Sequence, residues 1–499
     1  VGGFMRGITM VVGVALVACT TASVMAASPP SNTHAELRAI VGAVRAPNLR
    51  ASDAKLVGFG TRSTLSDTKS NTHGIGASRR WVKSRFETIS RECGDCLELV
   101  TPSQVFTGPR MPKAGAEVMD VVAIQRGTSD PNRVIVMTAH LDSRRSDDMD
   151  AVGDAPGAND DAAGVAALIE TARVLSKYKF AATLVYSADS GEEQGLYGGL
   201  IIAQYASDQG WNVEAELNND MVGNSHGGNG VYDPRTIRIF SEGTKTHETL
   251  KDAAYRRYHG GGVDSPSRNI ARYMSTLADA YLQDFHVRMV YLTDRWGRSG
   301  DEVPFLAQGY PAVRLSESQE DYSHQHQDVR VENGVHYGDV ISGVDFDYLA
   351  QVTRLDAISV ASMAHAPMPV ADLKVKGAVA YDTTLSWQAS PGAASYRAWW
   401  RETTAPQWTT ERDAGKATTI VLKDIILDDY FFGVSAVGAD GWESPAEFPG
   451  FAGSFARSPE LDADGKPVST LYPSLSPKQF AGEPIGKPSW RSTPEGSPH

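Results

Sequence analysis

Within residues 29–364, short apolar runs that read as buried strands alternate with segments of helical periodicity, and nothing else in the chain restricts its fold as much. Val134-Ile-Val-Met137 and Thr183-Leu-Val-Tyr186 are brief, β-branched and bounded, as strands covered on both faces tend to be. Between them Val165, Leu168, Ile169, Ala172 and Leu175 recur at helical spacing behind the turn Asn159-Asp-Asp161. Further on, Ile237-Arg-Ile-Phe240 alternates and predicts another strand. Strand, helix and strand in succession predict an α/β fold: a largely parallel central sheet with helices on both faces.

The flanks differ in character. Residues 1–28 read as a secretion signal, with an apolar run from Ile8 to Ala18 and a small-residue region with a cut expected after Ala26. Leu16-Val-Ala-Cys19 also resembles a lipoprotein processing box, so a lipid anchor at Cys19 stands as the alternative to soluble export, periplasmic or secreted. The other two cysteines, Cys93 and Cys96, lie in Cys-Gly-Asp-Cys, and an oxidising compartment favours a local disulfide between them. After a short linker at 365–370 comes a segment of alternating aromatic and polar residues, 371–450. It predicts a C-terminal all-β sandwich with Trp387 in its core. Residues 451–499 are rich in Pro, Ser and Gly and read as a disordered tail. The net charge of −13 argues against nucleic acid or anionic lipid as the main partner.

Five segments of the long stretch carry groups able to hold a metal: Thr138-Ala-His140-Leu-Asp142, Gly157-Ala-Asn-Asp160-Asp161, Ser187-Ala-Asp-Ser-Gly-Glu192-Glu193, Leu217-Asn-Asn-Asp220 and Tyr322-Ser-His324-Gln-His326-Gln-Asp328. Imidazole is a natural zinc ligand, and a carboxylate two residues on can take its second ring N–H. His140, Glu193 and Asp220 each fall just past a predicted strand, and open α/β sheets bind ligands beyond the carboxyl ends of their strands. One such segment is weak evidence. Five in one domain point to a metal site.

In kind and order, these motifs resemble the dizinc exopeptidase family of secreted bacterial aminopeptidases, glutamate carboxypeptidase II and glutaminyl cyclase. The resemblance spans roughly residues 115–355. It implies two zinc ions per chain, with Asp160 between them. His140 and Asp220 would complete one site, and Glu193 and His324 the other. His324 is preferred to His326 because it stands four residues before Asp328. The resemblance further implies Glu192 as general base, Asp142, Asp161 and Asp328 as supports behind the ligands, and a cis peptide bond between Asp160 and Asp161. The 371–450 segment resembles a fibronectin type III domain, with Tyr430 as a corner tyrosine. It is expected to serve as a surface for another protein or the cell exterior.

Two positions depart from the family pattern: Gly300 replaces a usual Ser and Glu302 a usual His. Ser323 stands where some relatives carry a carbonyl-polarising Tyr. The expected activity is hydrolysis of the N-terminal residue from peptides with a free N-terminus. A carboxypeptidase or dipeptidase remains open, because Arg295, Arg298 and Arg314 could receive a carboxylate. So does a non-catalytic binding protein.

Overall fold

A computed structural model describes residues 34–245 and 248–450, together with Gly2, Ser454 and Phe455. Apart from Gly2, the segment 1–28 read as a secretion signal, with Cys19, and nearly all of the stretch from residue 451, lie outside the described residues. Eight strands form the central sheet: β1 (Glu98–Val100), β2 (Val121–Gln125), β3 (Asp130–His140), β4 (Ala182–Asp189), β5 (Asn212–Asn219), β6 (Thr236–Ser241), β7 (His286–Val290) and β8 (Ala312–Glu317). Their spatial order is β1-β2-β4-β3-β5-β8-β6-β7. The central neighbours β4, β3, β5 and β8 pair in parallel, as do β6 and β7, while β2 on one side and β6 on the other join antiparallel.

The strand runs read from the sequence lie inside these elements, and their alternation separates the two faces. In β3, Ile135 and Met137 pack with the helices Ala163–Leu175 and Phe346–His365. Val134 and Val136 point the other way, toward Ile202 and Ala206 of the helix Tyr197–Asp208. Each such side chain contributes roughly 1.5–3 kcal/mol through burial. Strand β5 reads poorly as a core strand, because its buried residues include Glu214, Glu216, Asn218 and Asn219. Its charges are met inside: Arg133 donates to Glu214 at 2.8 Å and Thr138 to Glu216 at 2.6 Å. These hydrogen bonds offset part of the cost of burying its polar residues, while Val213, Ala215 and Leu217 pack into the cores on its two faces.

The C-terminal segment folds as two three-stranded antiparallel sheets, one of Ala371–Lys376, Thr383–Gln388 and Thr419–Leu422, the other of Ala393–Glu402, Thr410–Gly415 and Tyr430–Gly438. Leu385, Trp387, Tyr396, Ala398, Trp400 and Phe432 fill the space between them. The stretch entering this sandwich is no free tether. Ala366, Pro367, Pro369 and Val370 are buried, and Arg133 donates to the carbonyls of Met363, Ala364 and Ala366. Trp442 stacks on His34 and His365 with ring centroids 3.6 and 4.5 Å apart. Arg401 pairs with Asp264 at 2.6 Å, and Arg272 reaches the same carboxylate at 2.5 Å. Among the described residues, no helix is long and apolar enough to cross a membrane.

Candidate metal centre

The carboxyl ends of β3, β4, β5 and β8 meet at one rim, and each delivers a polar residue or loop there. His140 closes β3, and its ring is held from behind: Nδ1 lies 3.1 Å from the main-chain oxygen of Asp142. Donation there leaves Nε2 as the ring's free nitrogen, 2.9 Å from Asp160 and 3.8 Å from Asp220. The Asp142 carboxylate also faces the ring, with an oxygen 3.6 Å from Nδ1. It accepts from the amides of Glu192 and Glu193, each at 3.3 Å, and so fixes the start of the short helix that carries both.

Asp160 sits in the turn before the helix Ala163–Leu175, next to a cis peptide bond with Asp161. One of its oxygens faces His140. The other lies 3.1 Å from Nε2 of His326, which is also 3.2 Å from Glu193. Two triads result, His140–Asp160–Asp220 and Asp160–Glu193–His326, each with its donor atoms within 4.8 Å of one another. Asp161 lies behind them, accepting from the amides of His140, Gly164 and Met221.

The position expected for His324 is taken by His326. The chain turns tightly after Asp321, whose carbonyl accepts from the amides of His324 and Gln325. His326 then adopts a left-handed backbone, φ 53°, which swings its ring onto the cluster. His324 faces Asp321 at 3.7 Å, apart from both triads. Asp328 does not back an imidazole either. It accepts from Arg145 at 3.1 Å and from Ser146 at 2.9 Å, and so anchors the 141–157 loop. The carboxylate that supports the Asp160 turn is Asp339, which accepts from the amides of Asn159 and Asp160 at 2.9 and 2.7 Å. No spacing rule pointed to Asp339, because it comes from a distant loop.

Burial shapes the ionisation of the cluster. Alone it would lower the His140 imidazole, but the Asp142, Asp160 and Asp220 carboxylates outweigh it and hold the ring well above its ordinary value. His326 behaves likewise: burial opposes, Glu193 and Asp160 prevail, and its pKa rises to about 10. Burial would raise Asp160, yet the two imidazoles keep it well below the usual carboxylate range. Glu192, half-buried, goes the other way. Desolvation, with repulsion from Asp220 and Glu193, pushes its carboxyl well above the usual value.

The rim fits a metal. His140 Nε2 and Glu193 Oε1 are buried without a hydrogen-bond partner, and the imidazole and carboxylate donors are those zinc takes. The two departures from the family pattern serve another guest. A Cβ on Gly300 would come within 2.3 Å of Arg314 Nη1 and 2.6 Å of Glu302 Oε2. The glycine thus makes room for the Arg314 guanidinium, which pairs with Asp220 at 2.7 Å and Asp294 at 3.0 Å.

The rim could hold metal ions, and comparison with known proteins gives the class. Residues 120–333 match the profile of Peptidase family M28. A probable zinc metalloprotease of Leptosphaeria maculans is 41% identical over 417 residues, 83% of this chain and 96% of that one. Another from Pyricularia oryzae is 40% identical over 424 residues, covering 83% and 84% of the two chains. Among solved structures, the LapA aminopeptidase of Legionella pneumophila superposes with a TM-score of 0.48 and 18% identity, over 71% of this chain and 77% of that one. The chain belongs to peptidase family M28 and is a zinc metalloprotease.

Proposed function

We propose that the protein is a dizinc aminopeptidase. His140 and Asp220 hold one ion, Glu193 and His326 the other, and Asp160 lies between them. The observation that carries this reading is the sharing of Asp160: its two oxygens face two imidazoles that belong to separate triads. Zinc, when bound, supplies a Lewis acid that polarises a carbonyl and acidifies water.

The remaining chemistry falls to the chain. Glu192 takes the proton of the attacking water, holds it on its carboxyl, and passes it to the nitrogen of the leaving amine. Desolvation and the neighbouring carboxylates raise its pKa, which favours its holding that proton. The substrate's free α-ammonium is placed in the small cleft beside Asp160, whose wall also carries Asp321, Asp339, Asn159 and Asn224. Carboxylates and amide oxygens there accept from a cation, which favours an N-terminal residue over an internal one. Export, soluble or lipid-anchored, belongs to the same reading and would place the enzyme where free peptides occur.

The test is an assay against aminoacyl-nitroanilides with matched N-acetylated controls, before chelation, after it, and after zinc is returned, with the metal counted. Cleavage of free-amine substrates alone, lost and regained with zinc, is the expected result. A sample carrying two zincs that cleaves none of them would end the aminopeptidase reading.

A further inference from the structure

We propose that the cluster of Arg295, Arg298 and Gln325 around Met221, behind the wall of this site, is a recognition pocket for a substrate carboxylate. The inference depends on the aminopeptidase reading only for which substrate carries that carboxylate. Its starting point is Met221, the residue after Asp220, which is buried and held in a left-handed backbone with φ 59°. Three N–H donors converge on its sulfur: Gln325 Nε2 at 2.8 Å, Arg295 Nη1 at 3.3 Å and Arg298 Nη2 at 4.0 Å. A thioether is a weak acceptor. Arg295 and Gln325 are buried with a thioether as the acceptor at this point, Arg298 is partly exposed beside them, and buried donors so placed gain from a better acceptor.

The charge around this point leans the same way. Arg238 and Arg298 both pair with Glu320 at 2.7 Å, and Arg295 lies 3.8 Å from it. Arg295 and Arg314 share Asp294 at 3.2 and 3.0 Å. Four guanidiniums therefore face three carboxylates, Glu320, Asp294 and Glu302, once Asp220 is counted with the metal ligands. The cleft that Met221 and Gln325 line also bears Asp160, Asp321 and Asp339, carboxylates of the opposite sign. The two clusters are complementary to a residue with an ammonium on one side and a carboxylate on the other. Met221, unbranched and adaptable, stands between them and is able to move aside. A carboxylate in its place would accept from both arginines in charge-assisted bonds.

The carboxylate has two possible sources, the side chain of an N-terminal Glu or Asp, or the free C-terminus of a dipeptide. The zinc-loaded full chain should be assayed with Glu-, Asp-, Gln- and Leu-nitroanilides, and with Ala-Ala against its amide. Binding of L-glutamate and L-glutamine should be compared by calorimetry. Charge-assisted bonds of this kind predict a preference of about 10- to 100-fold for the carboxylate member of one pair. Preference for Glu over Gln assigns the pocket to the first side chain, and preference for free over amidated dipeptide assigns it to the C-terminus. Arg298→Gln and Arg295→Met should each bring the ratio toward one, through KM for the carboxylate substrate. Arg298 is partly exposed, so its variant carries the test if Arg295→Met does not fold. Equal rates within both pairs and equal binding of the two amino acids would overturn the pocket, as would a preference that survives both substitutions. Arginine-dependent glutamate binding without any hydrolysis would instead remove the aminopeptidase reading and leave the pocket standing.

Discussion

The rim of the central sheet and the C-terminal sandwich use burial in opposite ways. In the sandwich, buried side chains are mostly apolar or aromatic. Among its described residues only Trp387 Nε1 and Arg401 Nε are buried polar atoms without a partner. At the rim, carboxylates and imidazoles are buried within hydrogen-bonding distance of one another, and several of their atoms are unmatched. An arrangement of the second kind is costly without a compensating cation. The sheet's own core must stabilise what the rim destabilises, while the sandwich, with its apolar interior, holds none of the described metal-capable triads.

Substitutions in the two regions should give different kinds of loss. The largest expected effect is at Glu192. Glu192→Gln should lower kcat by about 10²–10⁴-fold or more while zinc content stays the same, as metal analysis beside steady-state kinetics will report. An active Glu192→Gln enzyme would remove Glu192 as the proton carrier. Next, His326→Ala should reduce bound zinc toward one ion per chain, whereas His324→Ala should retain both. The reverse result would return His324 to the site.

In the sandwich the response should appear in stability and not in metal binding. Trp387→Ala removes a large core side chain and should cost about 3–5 kcal/mol in a denaturation experiment. Zinc stoichiometry of the folded fraction should not change. A loss of zinc at constant folded fraction would mean that the two regions are coupled more tightly than their contacts imply. The smallest effect is expected where they meet. Arg401→Met leaves Asp264 with Arg272 alone, and should cost about 1–3 kcal/mol because a buried carboxylate loses one of its two charged partners. An unchanged melting curve would show that Asp264 is satisfied by Arg272 and that the interface rests on Trp442.

How much of this could be read beforehand varies by residue. Val134–Met137 and the 165–175 helix were legible because burial of a face imposes a period on the sequence. Strand β5 was legible only at its end, since Arg133 and Thr138 supply from other elements the partners that let Glu214 and Glu216 lie inside. In the turn after Asp321 the four-residue spacing favoured His324. One left-handed residue reversed the outcome, and no spacing rule records a backbone dihedral.

The sequence by itself determined the alternation that makes an α/β sheet, the sandwich that follows it, and which segments bear donor groups. These are local properties, since periodicity and residue type act over a few positions. Tertiary structure alone decided that His326 and not His324 meets Asp160 and Glu193, and that Asp339 backs the Asp160 turn while Asp328 ties down a loop. It likewise decided that Gly300 gives room to Arg314, and that Arg295, Arg298 and Gln325 converge on Met221. Each of these depends on where separate loops meet at the end of the sheet. That meeting is set by packing between residues up to about 180 positions apart, such as Asp160 and Asp339, and no short window of sequence contains it.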